Sequence, residues 1–408
     1  MLLCLSYETS MALPKCIVPW TQIEVCATGY VRPCAEYLYD FTDDEGNKLD
    51  LNNKDTTLET VWNNAEYKAL RQQYINGERP AGCNKCFSQE DRGIQSRRQR
   101  ELEIHNKHLH LMESTDAPNP VLFDVKLGNH CNLKCKICNS EFTKKWEATE
   151  LELFGQVINR SYGKNWVQQQ DNWNSILNIS DNAEVLYLSG GEPFLIEEHH
   201  QLLEHLIAQD KAKDIWIKYH TNGTFKLTDK LLEQFAQFKR IQLHYSVDDV
   251  GNNYEYQRPP AKWQRVEDNI VHALQQDIDV RITYTVSLLN CLSGTNMLEW
   301  CTKVGIPHNA IDINFLHAPM YYNISLLSHA QKDYIKQFLT NNLIDEQVNK
   351  FIDTQHVEEI KNKNWQINSR KEVDNLRRYV ISKLDSKGNA ALVDVNPKIS
   401  KLVGNDET

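Results

Sequence analysis

Three cysteines crowd into one short stretch of this chain, Cys131-Asn132-Leu133-Lys134-Cys135-Lys136-Ile137-Cys138. The stretch follows an apolar run, Val121 to Leu127, that reads as a strand, so the CxxxCxxC thiols sit on the loop leaving a strand end. Three clustered thiolates suit a soft, multi-iron centre and leave one iron without a protein ligand. Such an iron can bind a small molecule and pass it an electron. The competing readings are a structural zinc and plain buried thiols. A zinc knuckle is closed by a fourth nearby ligand, and His130 is the only candidate.

Of the six cysteines N-terminal to this loop, four form a second group. Cys16 precedes an alternating run, Thr21 to Ala27, that reads as a strand. Thr28-Gly29-Tyr30 makes a turn, and a second short strand ends at Pro33-Cys34. This hairpin carries a cysteine near each outer end, so both thiols can meet on one side. Further on, Pro80-Ala81-Gly82-Cys83-Asn84-Lys85-Cys86 supplies a CxxC turn. A four-cysteine zinc ribbon and an iron–sulfur cluster are both open to such a set. The chain has 11 cysteines, an odd number. With two groups spaced for metal, that fits a reducing cytoplasm better than a disulfide framework. Cys4, Cys26, Cys291 and Cys301 read as core thiols, with Cys26, on the hairpin, the one closest to being a ligand instead.

At the CxxxCxxC loop the chain resembles the radical S-adenosylmethionine (radical SAM) enzymes. In that family such a loop holds a [4Fe–4S] cluster by three irons, and SAM chelates the fourth. The resemblance continues at Leu186-Tyr187-Leu188-Ser189-Gly190-Gly191-Glu192-Pro193, similar to the family's GGEP motif, where the SAM methionine amino group binds. Alone, Gly190-Gly191 would read as a tight strand-to-helix turn. The Cys16-x12-Gly29-x4-Cys34 spacing followed by Cys83-x2-Cys86 resembles the twitch module, a shortened SPASM domain that carries an auxiliary iron–sulfur cluster. That resemblance runs on through Arg92-Gly93-Ile94-Gln95-Ser96-Arg97. The order departs from the usual one, in which such modules follow the barrel.

The elements that must position these groups follow from periodicity. Strands are expected at 121–127, 184–189, 215–219, 241–247, 280–286 and 311–316. Helices fall between them, at 140–154, 197–209, 228–238, 263–275 and 296–303. Six strand–helix units argue for an α/β fold with a parallel sheet. Six rather than eight suggests an open, partial (β/α)6 barrel, which is also the architecture the resemblance implies. In parallel α/β folds ligands sit at the carboxyl ends of strands. Cys131, Cys135 and Cys138 lie beyond the first strand and Gly190, Gly191 and Glu192 end the second. Thr221-Asn222-Gly223 follows the third, and Ser246 with Asp248 closes the fourth. By resemblance, Asn222, Ser246 and Asp248 line the SAM and ribose pocket, and Arg258 matches the arginine often found after that pair. Read alone, TNG is a turn and Asp248-Asp249 a helix cap. Asn290, after the fifth strand, is a fainter candidate of the same kind.

The organisation expected is a hairpin and helix cluster-binding module over 1–115, a partial barrel over 116–320 and a helical C-terminal extension over 321–408. The first includes a helix over 58–74. The boundary before the barrel falls in the polar, proline-bearing stretch Asp116 to Pro120. Residues 155–181, with Trp166 and Trp173, are longer than a connector needs and read as an insertion. Arg92, Arg97, Arg98 and Arg100 read first as the solvated face of a helix, and second as a site for a substrate carboxylate or phosphate. His199 and His200 open a helix without metal spacing and are expected at its surface or N-terminus. In the C-terminal part Trp365 and Leu376 are among sparse apolar positions, and no ligand cluster is visible.

Composition narrows the partners. A formal charge of −10 over 408 residues argues against sequence-independent nucleic-acid binding. No apolar run approaches the roughly 18–20 residues of a membrane span. Met1 to Leu13 lacks a basic n-region and is interrupted by Glu8, against a signal peptide. The expectation is therefore a cytoplasmic radical SAM enzyme. Its implied cofactors are a SAM-binding [4Fe–4S] cluster, SAM and an auxiliary cluster of the [4Fe–4S] kind. Its implied partners are a peptide or protein substrate and an electron donor such as flavodoxin or ferredoxin. A small-molecule enzyme acting on a sugar or nucleotide would use the same cysteines. A non-enzymatic iron–sulfur or zinc protein would not need the GGEP stretch and the polar strand ends.

Overall fold

Strand β1 (Gln22–Val25) pairs antiparallel with β2 (Val31–Arg32), placing Glu24 opposite Arg32 and Val25 opposite Val31. The turn between them requires Gly29, whose φ of +95° lies in the left-handed region. The computed structural model that shows this describes residues 15–157, 166–353 and 369–404, except Asp44, Lys54, Arg92, Ile94, Asp181 and Asn389. The readings made of Met1 to Leu13, Cys4, Arg92, Ile94 and Trp365 fall outside those residues. The chain divides into two compact units, one of 1–125 with 164–186 and one of 126–163 with 187–408.

In the first unit, β1 also pairs in parallel with β3 (Leu122–Lys126), from Gln22 opposite Leu122 to Val25 opposite Val125. The expected helix over 58–74 is two helices, Leu58–Trp62 and Ala65–Ile75. Asn64 breaks it, because its side chain accepts from the Tyr67 N–H at 2.9 Å and caps the second helix afresh. Buried Arg71 holds the break together. It donates to the Asn63 side chain at 2.6 Å and to the Pro19 carbonyl at 2.8 Å, with its guanidinium over the Trp62 and Tyr67 rings. The stretch read as an insertion contributes a helix to this unit, Gln170–Ser180. Its Ser175 hydroxyl accepts from the Leu58 N–H at 3.3 Å, and Asn172 donates to the Leu51 carbonyl.

The strand β4 (Val185–Ser189) leads to the second unit, where it lies beside β5 (Trp216–Thr221). Next come β6 (Arg240–Ser246), β7 (Asp279–Val286) and β8 (Ile311–Phe315), and β5 to β8 are parallel throughout. Helices Glu197–Ala208, Asp229–Phe235, Trp263–Leu274 and Gly294–Val304 alternate with them. The α/β expectation is met, with strands β3 to β8 each within one or two residues of their predicted ends. Alternation along the strands separates two faces. Ile217, Tyr219, Leu243, Tyr245, Ile282 and Tyr284 form an apolar side and are all buried. The other side carries Lys218, His220, His244, Arg281, Thr283 and Asp312. There His220 and His244 stack at 4.8 Å, and His244 Nδ1 lies 3.0 Å from Asp312.

His199 lies in the first turn of the helix Glu197–Ala208, as one of the two expected placements has it, and not at the surface. It is fully buried, its Nε2 lies 2.8 Å from the Tyr219 hydroxyl, and burial holds its pKa down at about 3. The C-terminal residues form helices His329–Lys336, Leu343–Ile352, Arg370–Asp385 and Pro397–Gly404. Met320, Leu326 and Val373 make a small apolar cluster there, with Leu376 against it. Among the described residues no helix is long and apolar enough to cross a membrane.

Candidate functional site

The cysteine loop of the second unit leaves β3 and is held by main-chain bonds to the turn after β4. Gly191 N–H donates to the Gly128 carbonyl at 3.0 Å and Glu192 N–H to the His130 carbonyl at 2.8 Å. A Cβ on Gly191 would run into that same His130 carbonyl, and one on Gly190 would lie 2.8 Å from the Gly128 oxygen. The Gly190-Gly191 pair is therefore what lets two backbones touch. His130 contributes its backbone here, and its side chain is exposed.

Glu192 is wholly buried at the far side of this junction. Its carboxylate accepts from the Asn222 N–H at 2.7 Å, the Thr221 hydroxyl at 2.9 Å and the Phe194 N–H at 3.4 Å. Burial pushes its pKa up to about 7 despite those three donors. Asn222 in turn reaches the cysteine loop. Its side-chain amide donates to Asn132 Oδ1 at 2.9 Å and lies 3.6 Å from Cys131 Sγ, while Asn132 donates to the Thr224 hydroxyl at 2.8 Å. The fourth strand end arrives through an ion pair. Arg258 Nε and Nη2 both lie 2.8 Å from Asp248 Oδ2, and Nη1 lies 3.8 Å from Cys135 Sγ. The other Asp248 oxygen accepts from the Thr285 N–H at 3.3 Å. Ser246 stands half-buried two residues before Asp248. Asn290 supports this end from below, donating to the Asp248 carbonyl at 2.6 Å.

Beyond the residues singled out in the sequence, Asn132, Thr224 and Tyr254 belong to the same network, Tyr254 donating to the Asn222 carbonyl at 3.2 Å. Asn132 could have been found as a polar residue between ligating cysteines, but Tyr254 carried no comparable signal. Asp249 is buried as well, accepts from the Ser293 hydroxyl at 2.7 Å, and is pushed by burial up to about 7.

Polar donors and a cation face two of the three thiols. Cys131 Sγ accepts from the Leu133 N–H at 3.4 Å, beside the Asn222 amide, and Arg258 faces Cys135. N–H donors and a cation aimed at sulfur favour thiolate and tune an iron–sulfur centre. Without metal, burial pushes Cys131 up to about 11, while a hydrogen bond from Cys138 lowers Cys135. Metal binding here therefore has to expel protons.

In the first unit, Cys16, Cys34, Cys83 and Cys86 line one cavity with Glu36, Tyr37, Tyr74, Arg97 and Arg98. Gly82, just before Cys83, packs where a Cβ would strike the Tyr37 ring. Backbone N–H groups of Val18, Glu36 and Arg98 serve Cys16, Cys34 and Cys86, the Ser96 hydroxyl also serves Cys86, and the Tyr74 hydroxyl lies beside Cys83. Burial raises all four thiols, Cys34 to about 12 and Cys83 to about 11. Cys26 is buried but does not line this cavity. Among the described residues no three Cys, His, Asp or Glu side chains close on the single point that one metal ion needs. Four thiols gathered around a common space match what a cluster needs, one cysteine sulfur on each iron beside the bridging sulfides.

The arginines depart from expectation. Arg100 is exposed, but Arg97 and Arg98 turn to the cysteines. Arg97 pairs with Glu101 at 3.4 Å and Asp124 at 3.7 Å, and Arg98 Nε donates to Glu90 at 2.9 Å. Their acidic partners are thus internal.

Residues 125–300 match the radical SAM superfamily, and residues 16–87 match the SPASM iron–sulfur cluster-binding domain. The first domain implies a [4Fe–4S] cluster and SAM, and the second an auxiliary iron–sulfur cluster. No curated protein is similar to the chain. Among solved structures it is similar to anSMEcpe with bound AdoMet, at 18% identity and a TM-score of 0.38, over 52% of this chain and 56% of that one. It is also similar to SuiB of Streptococcus suis bound to S-adenosylmethionine, at 15% identity and a TM-score of 0.39, over 63% of this chain and 54% of that one. The chain thus spans little more than half the length of these structures.

Proposed function

We propose that this chain, whose residues 125–300 match the radical SAM superfamily and whose residues 16–87 match the SPASM domain, cleaves SAM reductively and abstracts hydrogen from a peptide or protein side chain. When bound, the cluster and SAM supply an electron, a 5′-deoxyadenosyl radical and methionine. Cys131, Cys135 and Cys138 would hold the cluster by three irons. Gly190, Gly191 and Glu192 would receive the SAM amino group, with Asn222, Ser246 and Asp248 lining the rest of the pocket. Arg258 keeps a positive charge beside Cys135, fixed by Asp248. Cys16, Cys34, Cys83 and Cys86 would hold the auxiliary cluster.

The observation that carries this reading is the junction in the second unit, where the cysteine loop, the Gly-Gly turn, Asn222 and Arg258 meet at successive strand ends. A plain metal scaffold has no use for a buried carboxylate and an arginine at that place. The peptide class rests on the SPASM resemblance, because such modules accompany peptide modification. A one-electron donor such as flavodoxin or ferredoxin would serve the first cluster. The test is anaerobic reconstitution with iron and sulfide, followed by dithionite and SAM. 5′-Deoxyadenosine and methionine are expected from the wild-type chain. Their absence from protein loaded with iron at Cys131, Cys135 and Cys138 would overturn the proposal.

A further inference from the structure

Lys136 stands between two cysteines of the second unit's loop, and its side chain is tied to the C-terminal part of the chain. Its ammonium lies 3.4 Å from Asp385 Oδ1 and 4.0 Å from the centre of the Tyr256 ring. The Tyr256 hydroxyl donates to the same Oδ1 at 2.8 Å, and the Leu392 N–H donates to Oδ2 at 2.8 Å. The pair is largely buried, with side-chain exposures of 7% for Lys136 and 16% for Asp385. Backbone bonds fix the same segment, Lys136 N–H to the Gln257 carbonyl at 2.8 Å and Lys134 N–H to the Pro259 carbonyl at 2.7 Å. A second tie joins Lys387, just past the helix, to Glu152 on the helix that follows the cysteine loop.

We propose that Asp385 is a positioning residue for the cluster loop, so that the helix Arg370–Asp385 acts as a brace on Cys135 and Cys138 through Lys136 and Tyr256. The inference rests on the reading of those cysteines as ligands. It also extends the metal centre past residues 125–300, the part that matches the family. A buried ammonium keeps its place only while its counter-charge does, because an unpaired buried charge is costly and draws in water or rearranges. Lys136 cannot leave without moving its neighbour Cys135. A loop held in its liganding conformation loses less entropy when the cluster forms, and releases iron more slowly.

The experiment uses the full chain, reconstituted anaerobically, as wild type, Asp385→Asn and Asp385→Glu. Iron loss to a chelator is followed by visible absorbance, and the reduced loop cluster by EPR with and without SAM. The same substitutions are made in a background lacking Cys131, Cys135 and Cys138, where only auxiliary iron is read. Asp385→Asn is expected to release loop iron faster, on the order of tenfold, and to alter the SAM-dependent EPR signal. Auxiliary iron should be released at the wild-type rate, and Asp385→Glu should restore both properties. Wild-type release and an unchanged signal in Asp385→Asn would overturn this inference alone, as would equal loss at both centres, which is general unfolding. Wild-type protein without iron at the loop cysteines would overturn it together with the function proposed above.

Discussion

If Glu192 receives the SAM amino group, as proposed above, burial of its carboxylate makes SAM binding depend on pH. Its pKa in the SAM-free protein is about 7, against an ordinary 4.5. The folded value is raised, so its contribution to stability is complete below pH 4.5 and is lost as pH rises through 7. At pH 8 that loss is about 3 kcal/mol, from the difference between about 7 and 4.5 at about 1.4 kcal/mol per tenfold change in proton affinity. A SAM ammonium placed against the carboxylate returns part of it. Below pH 7 the amino group must first displace the carboxyl proton, so between pH 6 and 8 affinity relative to a chain without this carboxylate should rise about tenfold. The assay is anaerobic calorimetry on reconstituted protein at pH 6, 7 and 8, with Glu192→Gln in parallel. The variant should keep its iron, bind SAM more weakly at pH 8 by about 1.5–3 kcal/mol, and lose the pH dependence that Glu192 supplies. The titration of the SAM α-amino group, near pH 8, occurs with both proteins and cancels in their ratio. Equal pH profiles for the two proteins would refute the reasoning, and so would iron loss in the variant, since Glu192 is not among the proposed cluster ligands.

Protein with both cysteine groups loaded should carry about eight irons per chain. Alanine at Cys131, Cys135 and Cys138 should remove about half and abolish 5′-deoxyadenosine, whereas about four irons plus zinc would make the N-terminal module a structural ribbon. Cys83→Ala should spare the loop cluster and its SAM cleavage while substrate product falls. A substrate deuterated at the attacked carbon should still pass label to 5′-deoxyadenosine, and joint loss of label and product would contradict an electron-transfer role for the auxiliary cluster. His199, held neutral at about pKa 3, lowers stability as pH falls from 6.5, because only the unfolded chain takes up the proton there. Denaturant midpoints should show the wild type losing about 1 kcal/mol more than His199→Phe between pH 6.5 and 5.5, and parallel losses would remove His199 as the cause.

What could be read without coordinates was whatever chemistry or periodicity writes locally. The six strands from β3 to β8 follow from apolar runs, and the strand-end order of Cys131, Gly190, Asn222 and Asp248 follows from theirs. The break at Asn63-Asn64 was hidden because helical periodicity runs through it, and only the cap on Tyr67 and the reach of Arg71 reveal it. Arg97 and Arg98 looked like a charged surface because their partners Glu90 and Glu101 also look like surface residues. The place of His199 in the first turn of its helix was legible but its burial was not, since its company in the sequence is polar and its neighbour in space, Tyr219, is twenty residues away. Nothing near Lys136 announces Asp385, which is 249 positions further on.

The contact between Gly191 and His130 has a consequence for how this protein tolerates change. The cysteine loop and the turn beside it are joined directly by the peptide groups of Gly128, His130, Gly191 and Glu192. Truncating a side chain removes none of those peptide groups, whereas a single extra methyl group on Gly191 forces their contact open. Its vulnerability is thus to added volume, and an alanine scan, which records every other residue by what it removes, records this one by what it inserts.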